Sequence, residues 1–543
     1  MLRRKTILVF CTLLLVIFPI QAQSQTIDSR LEAMTLEQKV AQMFVMSFFG
    51  SDLNFPMQAL LADWQVGAVV LLPSNLENPQ QITRLTNDIQ QTLLDNNGIP
   101  AFISVDQEGG IIAHLEEGFT RWAVPSLLTA TQNPDLAYQF GEALAEELLA
   151  VGINMNLAPV ADLQTNLTNP IIGRRSFGND PNLVAPIISA VVEGMQANGV
   201  LATVKHFPGH GDTISDSHLE LPELALSLDD LFARELIPFQ SAIESNVGAV
   251  MVAHIYFPEI DSEVDLPSSL SPNIINGLLR DTMAYDGLVI TDALDMDAID
   301  TVYSPSNSAI RAIEAGNDLI LLGAHISPEN QAQAMQAVVD AVLAGDIPES
   351  RIDDSVRRIL SAKERMTVFS WEQLDPNTAE ARINTREHQM LVDEMFRQGI
   401  TQVHDDGAIL PLSSSTLMIY PQSRATLGLA CNRSNWQFAT VSAVPSDEEI
   451  ANLSQVAQYV ESVVIFTENV QANSQQQALV SALPSAKTVV VALWSPFDIL
   501  SLPNVASYFA TYSPLPESYD SICDILHNEA EALGTLSVML EDQ

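Results

Sequence analysis

Eight short apolar runs, rich in Val and Ile, divide the chain between Val40 and about Gly323, and each is followed by a longer amphipathic stretch. They are VAQMFVMSFFG from Val40, GAVVLLP from Gly67, PAFISVDQ from Pro100, INMNLAPVAD from Ile153, VLATVKHF from Val200, GAVMVAHI from Gly248, GLVITDAL from Gly287 and NDLILLGA from Asn317. Runs apolar on both faces suit strands buried on both sides, as in parallel sheets. The intervening segments, such as PDLAYQFGEALAEELLAVG, carry a helical period. Eight strand-helix units in series predict a (β/α)8 barrel, with a doubly wound open sheet as the competing arrangement.

With 543 residues, of which 47% are hydrophobic, the chain is too long for a single ordinary core. RIDDSVRRILSAKERM reads as the helix that closes the barrel. A polar stretch around Pro376 and Asn377 follows, and a new alternation begins near Arg386 with the strand-like runs STLMIYP, SVVIFTEN and KTVVVALW. The expected organisation is a barrel over 28–370, a linker over 371–385 and a smaller α/β sandwich domain over 386–543.

Arg3, Arg4 and Lys5 precede an apolar run from Ile7 to Ile20, closed by the small residue Ala22. Basic start, short apolar core and small residue are the parts of a secretory signal over residues 1–22. The run is short for a membrane span, and no later stretch is long and apolar enough for one. The expectation is an exported protein, periplasmic or extracellular, with no membrane attachment after cleavage. Formal net charge is −43, and losing the signal would remove three basic residues and no acidic ones. Such a surface repels phosphate backbones and anionic lipids, which excludes nucleic acid and membrane surfaces as partners. Cys431 and Cys523 remain after cleavage; export permits a disulfide between them, and two separate buried thiols are the alternative.

Active sites of such barrels form at the C-terminal ends of the strands. Asp106, Asp162, Lys205 with His206, His254 and Asp292 each end an apolar run. Any one strand-terminal Asp can simply cap the next helix; all of these together point to chemistry. The segment KHFPGHGDTISDSHLELP from Lys205 is marked as a loop by Pro208, Gly209 and Gly211. It holds Asp216 and His218, a carboxylate-imidazole pair suited to proton transfer near neutral pH. The same His and Asp residues could instead bind a metal, though their spacing matches no standard zinc pattern. On the residues alone, the reading is a barrel hydrolase with an Asp and an Asp-His pair.

The motifs VDQEGG at Val105, NPIIGRRSFGNDP at Asn169, KHFPGHGDTISDSH at Lys205, PSSLSPNIINGLLR at Pro267 and GLVITDALDMDAI at Gly287 occur in order. In these the chain resembles glycoside hydrolase family 3, in its β-N-acetylhexosaminidase branch. AIEAGNDLILL and RIDDSVRRIL carry the resemblance to the barrel's end, and ITQVHDDGAILPL with LPNVASYFATYSP is similar to the sandwich domain of many relatives. The resemblance implies a retaining exo-acting glycosidase without metal or cofactor. It implies Asp292 as nucleophile, His218 as acid/base oriented by Asp216, and Asp106, Arg175, Lys205 and His206 as holders of the terminal sugar. Implied substrates are small oligosaccharides, either chitooligosaccharides or peptidoglycan fragments (muropeptides) with terminal N-acetylglucosamine. Ile111 and His114 stand where the family often has Arg, and Ala293 where it often has Asp.

Three rival functions follow from the same residues. A β-glucosidase or β-xylosidase of the family usually lacks the Asp-Ser-His loop. An Asp-His phosphorylase would use phosphate in place of water. A sugar-binding protein would hold N-acetylglucosamine without turnover.

Overall fold

The computed structural model describes residues 27–405, 409–433 and 435–540. The basic-apolar segment read as a secretory signal lies outside the described residues.

All eight apolar runs form strands. They are β1 (Phe44–Met46), β2 (Ala68–Val70), β3 (Phe102–Val105), β4 (Met155–Asn156), β5 (Leu201–Phe207), β6 (Ala249–Val252), β7 (Leu288–Thr291) and β8 (Ile320–Leu321). Each pairs in parallel with its sequence neighbour, and β8 returns to β1 through Phe44 opposite Ile320. A parallel bridge between Ile290 and Leu319 closes the ring between β7 and β8. Every residue in these strands is buried, as strands covered on both faces require. The fold is therefore the expected (β/α)8 barrel, not an open sheet.

Helix starts follow one recurring local rule. Asn78-Pro79, Asn133-Pro134, Asp180-Pro181, Ser304-Pro305 and Ser327-Pro328 each open a helix. The first residue's side chain accepts a backbone N–H of the first turn, and proline sits where no N–H bond is needed.

The second sheet has six strands: β9 (Thr401–Asp405), β10 (Thr416–Pro421), β11 (Gln437–Val441), β12 (Ser462–Thr467), β13 (Thr488–Ala492) and β14 (Ser507–Ala510). Their order is β9-β14-β13-β12-β10-β11, with only β9 antiparallel to its neighbour. Alternate residues serve two cores. Leu417, Ile419, Val463 and Ile465 pack with Leu479 and Val480 on one face. Met418, Val464 and Phe466 share the other face with Ile522, Phe396 and barrel residues including Leu127. This second core joins the two parts of the chain.

The stretch read as a linker is pinned to the barrel. The Asn87 side chain exchanges two hydrogen bonds with the Leu374 backbone, at 2.8 and 3.0 Å, and Ala379 and Ile383 are buried in the barrel's core. The C-terminal end also returns there: Asn179 and the Met539 backbone bond each other at 3.1 and 2.7 Å. Cys431 and Cys523 form a disulfide, with 5.1 Å between their Cα atoms, which settles the two alternatives left by the sequence.

Candidate active site

A cavity of about 700 Å³ opens at the C-terminal ends of the barrel strands. Asp106, Lys205, His206, His218 and Asp292 line it, together with Arg175 from the turn Gly173–Arg175. Of the seven residues singled out in the sequence, only Asp216 is absent from the wall itself; it lies behind His218.

The cavity floor is a charged network. Lys205 Nζ is 2.5 Å from Asp106 Oδ1 and 2.7 Å from Glu108 Oε1. Arg175 donates from Nε and Nη2 to the two oxygens of Glu108, at 2.9 and 2.8 Å. Burial pushes the Glu108 carboxyl up, but Lys205 and Arg175 outweigh it and hold its pKa at about 2. The same pairing keeps both cations charged against the burial that opposes them. A permanent anion between two fixed cations leaves Asp106, Lys205 and Arg175 in set positions with capacity to bond hydroxyl groups.

His206 is fixed from behind. Its Nδ1 lies 2.6 Å from Asp162 Oδ2, and its backbone N–H donates to the same oxygen at 3.1 Å. The His210 N–H donates to the other oxygen at 2.7 Å. Burial drives the His206 imidazole well below its ordinary value, and it raises Asp162 to about 6. A neutral His206 donating from Nδ1 presents Nε2 as an acceptor, and Arg175 Nη2 stands 3.4 Å from it.

Asp292 follows β7, and its backbone N–H donates to Val252 on β6 at 3.0 Å. Burial raises its carboxyl, but the polar groups around it, His206, His254 and the Ala293 N–H, hold it below the ordinary value without either imidazole needing to stay charged. The Ala293 N–H donates to Asp292 Oδ1 at 2.8 Å. His254 is locked beneath, with Nδ1 2.7 Å from Ser269 Oγ and Nε2 2.9 Å from the Ala293 carbonyl. Asp292 is thus an ionised, immobile carboxylate in the cavity wall.

The loop after β5 carries the dyad. Gly211 sits hard against the loop after β4, where an added Cβ would fall 1.5 Å from the Leu163 carbonyl oxygen. Ser217 bonds His210 Nε2 at 2.9 Å, which ties the loop to its own root. Arg234 anchors it on the outside, donating to Asp212 at 3.3 Å and Glu235 at 2.8 Å. At the tip, Asp216 Oδ1 receives both the backbone N–H and Nδ1 of His218, each at 2.8 Å. The His218 side chain is 58% exposed, and its carbonyl accepts the Asp297 N–H at 3.4 Å. The imidazole is therefore oriented through Nδ1 while its Nε2 is left for a ligand.

Each histidine of this loop turns to a different partner: His206 to Asp162, His210 to Ser217 and Thr213, His218 to Asp216. Among the described residues no three His, Cys, Asp or Glu converge as a metal-holding group.

Sequence reasoning passed over Glu108, although it stands inside VDQEGG two residues after Asp106. Its place between Lys205 and Arg175 is a tertiary fact that no local pattern shows. Asp162 and His254 were visible as strand-terminal polar residues, but their task of fixing His206 and Asp292 was not. His114 lines the cavity with its buried Nδ1 unpartnered, whereas Ile111 lies across the ribbon and is 46% exposed.

Residues 35–362 match the family model described as the glycosyl hydrolase family 3 N-terminal domain. A "Beta-hexosaminidase A" of Pseudoalteromonas piscicida is 32% identical over 385 residues, covering 67% of this chain and 63% of that protein. A "Beta-hexosaminidase" of Alkalilimnicola ehrlichii is 33% identical over 336 residues, covering 61% of this chain and 91% of that one. Among solved structures, a glycoside hydrolase family 3 β-N-acetylglucosaminidase from Paenibacillus sp. superposes with a TM-score of 0.82 at 35% identity, covering 94% of this chain and 99% of that one. The chain spans less than two thirds of the length of the Pseudoalteromonas relative.

Proposed function

The chain belongs to glycosyl hydrolase family 3, and we propose that it is a retaining exo-β-N-acetylhexosaminidase that removes terminal non-reducing N-acetylglucosamine. The observation that carries this reading is the pairing of an ionised Asp292 in the cavity wall with a His218-Asp216 dyad on the overhanging loop. The relatives' names support the substrate.

In the proposed reaction, the terminal sugar's hydroxyls bond Asp106, Arg175, Lys205 and His206. An Asp292 oxygen attacks the anomeric carbon as the bond to the leaving oxygen breaks. His218 gives its Nε2 proton to that oxygen while Asp216 holds the ring through Nδ1. Neutral His218 then takes a proton from water, whose oxygen displaces Asp292 from the same carbon and restores both groups. Nothing in these steps draws on a metal or cofactor.

Peptidoglycan fragments and chitooligosaccharides are the proposed natural substrates, and the basic-apolar N-terminal segment supports an exported enzyme acting on them. The test is turnover of nitrophenyl β-N-acetylglucosaminide beside the matching glucoside, with Asp292→Ala as control. Preference for the acetamido sugar, abolished in the variant, is expected. Preference for the glucoside would overturn the substrate. Turnover only with added phosphate would make the enzyme a phosphorylase.

A further inference from the structure

The charges that line the catalytic cavity are unevenly placed. Lys205 and Arg175 are the only lysine and arginine in its lining, against six carboxylates. Both cations lie at the floor and are taken up by Asp106 and Glu108. Beyond the nucleophile, three further carboxylates, Asp295, Asp297 and Asp300, stand towards the mouth. Among the described residues no lysine or arginine pairs with any of the three.

Their placement is built into the fold. Asp295 Oδ2 accepts the His325 backbone N–H at 2.9 Å, and the side chain packs on Gly323, where an added Cβ would fall 1.9 Å from Oδ1. Asp297 and Asp300 are exposed and begin and end one short helix. The Asp297 N–H donates to the His218 carbonyl at 3.4 Å, so this helix stands against the acid/base. The rest of the mouth supplies no cation. Phe49 is 51% exposed with the His325 ring edge-on at 5.3 Å, and Met296 and Ala324 are apolar. Two cations on neighbouring segments turn elsewhere: Arg174 lies over Trp494, and Arg234 pairs with Asp212 and Glu235. His218 is itself committed, to Asp216 through Nδ1 and to the leaving oxygen through Nε2.

The leaving oxygen must lie within hydrogen-bond reach of that Nε2. In a peptidoglycan fragment it is O4 of N-acetylmuramic acid, and the adjoining O3 carries a lactyl group. This group ends in a carboxylate, or in a peptide that bears carboxylates, and it enters beside Asp297 and Asp300. In a chitooligosaccharide the same O3 is a free hydroxyl, which can donate to a carboxylate. We infer that Asp295, Asp297 and Asp300 make the enzyme reject anionic leaving sugars, which narrows the two proposed substrate classes to glycans with an uncharged leaving sugar, the chitooligosaccharides. The inference rests on the proposed hydrolase reading, which puts the leaving sugar beside His218. Selection arises from repulsion in a cleft mouth of one sign, while the floor holds the same terminal sugar in either case.

The experiment compares kcat/KM of the full-length wild type on chitobiose, on the disaccharide of N-acetylglucosamine β-linked to O4 of N-acetylmuramic acid, and on the methyl ester of that acid. At low salt the acid should fall about tenfold below chitobiose, the scale of like charges at short range across solvent. The ester, equal in bulk and uncharged, should return to within about threefold of chitobiose. Added salt should narrow the gap between acid and ester. The gap should shrink to about threefold in Asp297→Asn/Asp300→Asn and close in Asp297→Lys/Asp300→Lys, again on the scale of one or two like charges. Equal kcat/KM for acid and ester in the wild type would overturn the proposal, whether both match chitobiose or both fall below it, the second case making bulk the cause. A gap unchanged in both double variants would overturn it too, since the charge would then be read elsewhere. Failure of the hydrolase reading is seen separately, as absent turnover of chitobiose and of the nitrophenyl glycoside by the wild type, and this inference would fall with it.

Discussion

Glu108 and Arg175 face one another across two parallel hydrogen bonds of 2.8 and 2.9 Å, and Lys205 reaches the same carboxylate at 2.7 Å. One anion thus neutralises two buried cations at the cavity floor. Replacing it with Gln should leave Arg175 unpaired and Lys205 with Asp106 alone, and cost about 3–5 kcal/mol of stability at neutral pH. The sign follows from the depressed carboxyl. With a folded pKa of about 2 against 4.5 when free, its contribution is complete above 4.5 and fades as pH falls towards 2. Denaturant unfolding of wild type and Glu108→Gln should therefore converge between pH 4.5 and pH 2. A constant gap across that range would show that the carboxylate's charge is not what stabilises the floor.

The dyad and Asp292 should separate by leaving group. Nitrophenolate departs with little protonation, whereas a sugar alkoxide needs a proton in flight. His218→Ala should lose about 10²–10⁴-fold in kcat on chitobiose, the range for a general acid, and much less on bond cleavage of the nitrophenyl glycoside. Asp216→Asn should fall between His218→Ala and wild type, since the Nδ1 bond at 2.8 Å orients rather than reacts. Asp292→Ala should abolish turnover of both substrates. Equal losses of the bond-cleavage rate on both substrates in His218→Ala would remove the acid role, since the base step that follows is common to both.

The barrel was legible because each strand is buried on both faces, so burial wrote itself into continuous Val and Ile runs. The site was legible where a polar residue ended such a run, as Asp292 and Lys205 do. Arg175 was reached through its motif alone, because it stands on a short turn with no periodic signal. Glu108 stayed hidden because its meaning depends on Arg175 and Lys205, which lie 67 and 97 positions away in the chain. Pairing across such distances leaves no trace in local pattern. The firm seating of 371–385 was missed for a related reason: a polar stretch reads as a tether unless Asn87 is known to meet Leu374.

Lys363 is fully buried on the closing barrel helix, where its ammonium donates to Gln42 Oε1 at 2.8 Å and lies 6.0 Å from the Phe102 ring centroid. Burial drives its pKa down to about 7 from 10.5. Between these values the unfolded chain binds the proton and the folded chain releases it, so stability should rise as pH goes from 7 to 10.5. Lys363→Met should flatten that slope and stabilise the protein near pH 7 by on the order of a few kcal/mol. Thermal melts of both proteins at pH 7 and pH 9.5 test this, and an unchanged slope in the variant would place the dependence elsewhere.

The Cys431–Cys523 bridge spans 92 residues of the C-terminal domain. Closing a loop of that length restricts the unfolded chain by about 4–5 kcal/mol. A Cys431→Ala/Cys523→Ala double variant should melt well below the wild type in non-reducing buffer, and added reductant should lower the wild type towards it. A wild type indifferent to reductant in the unfolded state would mean that the bridge does not form.

Arg174 connects the C-terminal domain to the sugar-binding turn. Its guanidinium lies over Trp494 at 4.5 Å and donates to Asn469 Oδ1 at 2.7 Å, while its neighbour Arg175 grips Glu108. The two arginines share the turn Gly173–Arg175, so releasing the first loosens the second without removing any group that touches the sugar. Arg174→Ala should raise KM for the nitrophenyl glycoside by about threefold to tenfold, the cost of roughly 1 kcal/mol of lost positioning, with kcat nearly unchanged. Asn469→Ala, altered only on the C-terminal side, should shift KM in the same direction and less. If kcat falls and KM holds in Arg174→Ala, the turn is instead aligned for the reaction itself and the C-terminal domain acts on bond cleavage.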